Sequence, residues 1–166
     1  MKRLFSFMMA LILVFSLSIT VFADEDTGSI TIKNATIGQT YRLFKIFTAT
    51  YAEGNQEKVS YTTDSSNIFY DVMFGEGNDG KAAAIFDYNA ETGGINLKSG
   101  VVKDQVVNYL SELIAEYVDK EGLAEADKLA PTATKVANDN EIKFENLEPG
   151  YYVVDRGIMS TITIDT

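Results

Sequence analysis

Any chemistry in this chain must come from lysines, carboxylates, hydroxyls and amides, because its 166 residues include no His and no Cys. That composition excludes a Ser-His-Asp triad, a cysteine nucleophile, a histidine general base and an ordinary zinc site. Among the cations, Lys45 stands out. It lies in the stretch from Thr40 to Phe47, where Tyr41, Leu43, Lys45 and Phe47 share one face and Phe44 and Ile46 the other. A strand apolar on both faces belongs inside a sheet, so a lysine in that row invites a functional reading. The plain alternative is that its long stem snorkels to solvent at a sheet edge. Two acidic turns, Gly75-Glu76-Gly77-Asn78-Asp79-Gly80 and Asn138-Asp139-Asn140-Glu141, carry oxygen ligands for Ca²⁺ but lack the ordered spacing of a calcium loop. They read as solvated surface turns, and no metal or cofactor is expected. The 24 acids guarantee some carboxylate neighbours, yet no pair is singled out for glycoside hydrolysis. The chain is read as a non-enzyme.

The first 23 residues read as a secretory leader. Met1-Lys2-Arg3 is a short basic start, Leu4 to Thr20 is apolar apart from three serines and the terminal Thr20, and Val21-Phe22-Ala23 offers small residues where a signal peptidase reads. Cleavage is expected between Ala23 and Asp24. The competing reading is a membrane anchor, since about 17 apolar residues approach the span of a bilayer. A lipoprotein is excluded for want of a cysteine. Losing residues 1–23 removes Lys2 and Arg3 and no acid, leaving 12 basic against 24 acidic side chains. So acidic a chain does not suit nucleic acid. The full chain is 46% hydrophobic, so it can bury a core as one domain, residues 24–166, without disulfides.

The elements that must position these residues read as strands around one helix. Ser29 to Lys33 alternates, Asn34 to Gly38 is a turn, and Thr40 to Phe47 is a central strand. Val59 to Thr62 is a short strand, and Ser66 is placed to cap a brief helix through Phe74 that the glycines at 75, 77 and 80 end. From about 101 to 119 the period changes. Val102, Val106, Leu110, Leu113 and Tyr117 recur at helical spacing with Ser99 as N-cap, a Glu116–Lys120 pair in the last turn and Gly122 as terminator. A helical turn is expected from Leu123 to Ala130, before Pro131. Glu141 to Glu145 alternates again, Leu147-Glu148-Pro149-Gly150 reads as a type II turn, and Tyr151 to Val154 leaves it as a strand. A last strand runs from Ile158 through Asp165. The sum is a mainly β sandwich with one inserted amphipathic helix.

The run Phe144-Glu145-Asn146-Leu147-Glu148-Pro149-Gly150-Tyr151-Tyr152-Val153-Val154 resembles the strand-turn-strand of prealbumin-like, Ig-like collagen-adhesin B-type domains. The openings Gly28 to Ala35 and Gly38 to Phe47 are similar to the start of the N-terminal domain of sortase-assembled Gram-positive backbone pilins. The order of elements agrees along the whole mature chain. The resemblance implies a structural subunit domain of a cell-surface pilus, located at the cell wall, acting in assembly and adhesion. It also implies other pilin subunits and sortase as partners, with a host or surface ligand as a further one and no membrane contact in the mature form. The family's pilin-motif lysine and sorting signal do not occur here. The chain ends at Asp165-Thr166, about where the family's first domain hands over to the next, so it reads as an N-terminal fragment or a truncated gene product. The alternative is a free-standing secreted adhesin or ligand-binding module of the same fold.

The same resemblance implies a Lys–Asn or Lys–Asp isopeptide cross-link of the kind the family's domains often carry. Its candidates are Lys45 and Lys33 as amines and Asp165 as acceptor. The reaction needs a desolvated, neutral amine and a carboxylic acid that shuttles protons. Counting by twos from Tyr152 reaches Val154 and Arg156, so Asp155 faces the other way; counting from Tyr151 reaches it. With the first register no acid stands beside the strand, and the expectation is that no cross-link forms.

Overall fold

The computed structural model describes residues 27–52, 55–76, 78, 80–118, 129–156 and 162–165. The leader, the Ala23–Asp24 cleavage point, Lys120, Gly122, residues 123–128 of the turn expected over 123–130, and residues 158–161 of the last strand expected over 158–165 lie outside these residues.

Every strand pairing described is antiparallel, and the fold is mainly β. Strands β1 (Gly28–Lys33) and β7 (Glu141–Leu147) form a two-stranded sheet. Seven strands form the other sheet: β2 (Thr40–Ala52), β3 (Asn55–Thr62), β4 (Phe86–Asn89), β5 (Gly94–Leu97), β6 (Ala133–Val136), β8 (Gly150–Asp155) and β9 (Ile162–Asp165). Its order is β4-β5-β3-β2-β8-β9, with β6 also on β2. Three helices, α1 (Tyr70–Met73), α2 (Ala82–Ile85) and α3 (Lys103–Tyr117), complete the described elements.

The large sheet is covered on both faces, which explains why β2 and β8 read as nearly continuous apolar runs. On one face Tyr41, Leu43, Tyr152 and Val154 pack against Ile30, Ile32, Ile142 and Phe144 of the small sheet. On the other, Phe44, Ile46, Phe47 and Val153 meet the helices through Phe69, Met73, Val106 and Leu110. The layers are therefore small sheet, large sheet, helices.

A bulge changes the pattern read along β2. Lys45 pairs with Tyr152 and Phe47 with Tyr151, so Ile46 is an extra residue on its strand. Beyond it the facing flips. Phe47 does not share the Lys45 row as alternation predicts; its ring meets Phe86 edge-on at 5.3 Å on the helical side. The insertion lets Ile46 and Phe47 both enter that core, where each is 2% exposed or less.

The segment from Phe144 to Val154 is not a hairpin. β7 pairs with β1 and β8 with β2 and β9, so Glu148-Pro149 carries the chain from one sheet to the other. Nor does Gly150 sit at the positive φ that a type II turn would need. It is small for another reason. A Cβ there would lie 2.7 Å from the Phe47 carbonyl oxygen and 2.9 Å from Lys45 Cε. The Tyr152 hydroxyl donates to the Glu148 carbonyl at 2.7 Å, closing a corner of the kind that joins the two sheets of β-sandwiches.

Helix α3 begins later than its stripe suggests. Val102 is the N-cap and is 59% exposed, and its backbone N–H donates to Gln105 Oε1 at 2.9 Å. Ser99 is therefore not the cap; Gly100, at φ +86°, turns the chain between them. Val106, Leu110 and Leu113 are buried as the spacing demands, joined by Tyr109 and Ile114, which widen the stripe. Glu116 reaches Lys81 at 3.8 Å. The helix near Ser66 is also shorter. Asp64 accepts from the Ser66 N–H at 2.7 Å and Asn67 from the Phe69 N–H at 2.8 Å, so turns occupy 65–69 before α1 starts. The β4–β5 hairpin has no counterpart in the sequence reading. Its strands are four residues each, too short for a period to show.

Candidate functional site

On one side of β2, β6 covers Thr40–Leu43 and β3 covers Thr48–Ala52. Between them residues 44–47 meet no strand on that side among the described residues. Backbone polar groups left there would be costly, and backbone and side-chain groups of the two flanking loops satisfy them. The Thr132 N–H donates to the Leu43 carbonyl at 2.7 Å, and the Lys45 N–H donates to Thr132 Oγ1 at 2.9 Å. Asn67 Nδ2 donates to the carbonyl of the bulged Ile46 at 3.0 Å. The split leaves a cleft of about 500 Å³, walled by Thr62 to Ile68 on one side and Ala130 to Thr132 on the other. Lys45, Thr48 and Glu148 complete its lining.

Lys45 reaches the surface at this break, not at a sheet edge. Its side chain is 16% exposed, and its ammonium donates to Glu148 Oε2 at 2.7 Å. That hydrogen bond holds the Glu148 carboxyl below its ordinary range, although the glutamate side chain is 78% exposed. Tyr152, in register with Lys45, is 1% exposed, and burial followed by the Glu148 charge pushes its phenol up to about 12. Across the cleft, hydrogen bonds from the Ser66 hydroxyl and N–H lower the Asp64 carboxyl. Beside Asp64, Tyr70 and Tyr88 meet edge-on at 5.9 Å, and Tyr88 stacks on Phe74 at 4.7 Å. The hydrogen bond that the Tyr88 hydroxyl donates to Tyr70 raises the Tyr88 phenol, followed by burial, with a smaller push from the Asp64 charge.

The candidate cross-link residues are distributed differently from this cluster. Lys33 lies in the small sheet, in register with Glu141. Asp165 is on β9 in register with Tyr151, which itself aligns with Phe47. Lys45 aligns instead with Tyr152 and, through it, Ile164. The backbone thus places β8 between the strands of Lys45 and Asp165, and places them in different rows. Asp155 belongs to the helical face, where Arg42 Nε donates to its carboxylate at 2.8 Å. It faces away from the Tyr152–Val154 row, as counting from Tyr152 predicts.

The residues that sequence reasoning passed over are Glu148, Asp64, Asn67 and Thr132. Each sits in a loop, and each matters only because the bulge and the split bring its loop to β2. Glu148 alone carried a signal, as the polar residue of Leu-Glu-Pro-Gly. Asn138 to Asn140 form an exposed turn. Among the described residues no group of three or more acids forms a metal-sized cluster, and no helix is long and apolar enough to cross a membrane. Compared with protein-family models, with curated proteins and with solved structures, the chain matches none.

Proposed function

We propose that the chain is a structural domain of a cell-surface pilus subunit with a prealbumin-like sandwich, exported by its leader and assembled with other pilin subunits by sortase. The observation that carries the reading is the Leu147-to-Tyr152 corner. It lies in the stretch of greatest resemblance to collagen-adhesin B-type domains, and it joins two packed antiparallel sheets without any disulfide. Cores of buried aliphatic and aromatic side chains on both faces of the large sheet suit a domain whose work is mechanical. Antibody against residues 24–166 should detect, in boiled cell-wall extracts, a ladder of high-mass species that collapses when the sortase gene is deleted. A single released band of monomer mass, unchanged by the deletion, would overturn the reading. That outcome favours the second reading, a free-standing secreted adhesin, for which the polar cleft beside Lys45 is the favouring observation.

A further inference from the structure

The cleft in the split of β2 holds an unusual mixture of groups. The Lys45 ammonium is a donor whose one hydrogen bond among the described residues goes to Glu148. The hydroxyls of Thr48, Thr62 and Thr63 make no hydrogen bond among the described residues, although Thr63 is only 5% exposed. Facing them are two ionised carboxylates, Asp64 and Glu148. Each class of ligand can be weighed against this set. An anion meets two carboxylates on a strongly acidic chain, and a cation meets Lys45. An apolar ligand would bury several hydroxyls without partners, at about 1–3 kcal/mol each. A neutral polyol has no such conflict, because every hydroxyl both donates and accepts and can bridge a carboxylate and an ammonium at once. A cleft of about 500 Å³ falls within the ordinary range of small-molecule sites. Ile68, at 43% exposure, and Pro131 in the cleft wall add the apolar edge that the C–H face of a sugar ring requires.

We propose that this cleft is a binding site for a neutral carbohydrate, with Lys45, Asp64 and Glu148 gripping vicinal hydroxyls and the threonine hydroxyls completing the contacts. The site is independent of whether the domain belongs to a pilus, so the two readings fail separately. The mature chain, residues 24–166 with any natural continuation, is screened on an array of neutral and acidic glycans. The best neutral hit is then titrated by NMR. A neutral glycan should bind with a millimolar or tighter Kd and shift resonances of Lys45, Thr48, Thr62–Asn67 and Thr132. Lys45→Met and Asp64→Asn should each weaken binding at least tenfold, and Lys143→Ala, on the small sheet, should leave it unchanged. Thermal midpoints identify any variant that fails to fold, and the shift map on the unmodified chain then decides alone. No neutral hit, a preference for acidic glycans, or shifts mapping away from the cleft overturns the proposal.

Discussion

Replacing Tyr152 by Phe tests the corner that joins the two sheets. The ring is 1% exposed and keeps its place among Tyr41, Leu43 and Val154, so no cavity opens. What is lost is the 2.7 Å hydrogen bond to the Glu148 carbonyl, which is left without that donor near a buried ring. A loss of about 2 kcal/mol is expected, within the range for leaving one member of a part-buried pair without its partner. For a domain of this size that is roughly a 6–8 °C fall in Tm. The phenol adds a pH signature. Its folded pKa is raised to about 12 from an ordinary value of about 10. Below pH 10 the proton is held in both states and the full contribution is present. Between 10 and 12 the unfolded chain releases the proton while the folded one keeps it, so stability falls by about 1.4 kcal/mol per pH unit. Above 12 the contribution is gone. Urea denaturation of both proteins from pH 8 to 11.5 gives the difference directly, with the other eight tyrosines cancelling as common background. The gap should be constant to pH 10 and then close. An unchanged midpoint at neutral pH, or parallel curves above pH 10, would refute the role assigned to this hydroxyl.

Four further outcomes are expected. Leu110→Ala, at a residue 0% exposed on the buried stripe of α3, should cost about 2–5 kcal/mol, whereas a midpoint that hardly moves would mean α3 is not docked. Gly150→Ala should cost about 1–3 kcal/mol, because its methyl would meet a backbone oxygen that cannot swing aside; an unaltered melting curve removes the close-approach argument. Arg42→Met should cost about 3 kcal/mol by stripping the guanidinium from Asp155, 7% exposed, and Arg42→Met with Asp155→Leu should recover most of it in the same denaturation assay. Secreted protein should have the intact mass of residues 24–166 with no water lost, since Lys45 already pairs with Glu148 and β8 separates its strand from that of Asp165; a deficit of one water would show that a cross-link forms.

Strand and helix identity followed from local pattern where the pattern was long enough. The alternation of Ser29–Lys33 and Glu141–Glu145 is enough to place Ile30, Ile32, Ile142 and Phe144 on one buried face, because a two-residue period leaves no other choice once one face is covered. The spacing of Val106, Leu110 and Leu113 does the same for α3. Likewise the doubly apolar run of Thr40–Phe47 requires a strand buried on both sides, though not what covers each. The tertiary structure alone decided the rest. The bulge at Ile46 depends on how β2 must meet both β8 and the helical layer, and nothing in the residue types from Lys45 to Phe47 announces it. Leu-Glu-Pro-Gly has the composition of a hairpin turn, yet its partners lie in different sheets, and pairing is settled by long-range packing. The cleft follows from both. Lys45 was conspicuous in the sequence because a cation is costly in an apolar row. Its neighbours Glu148, Thr132, Asn67 and Asp64 were not, since each comes from a distant loop whose position only the closed sheet determines.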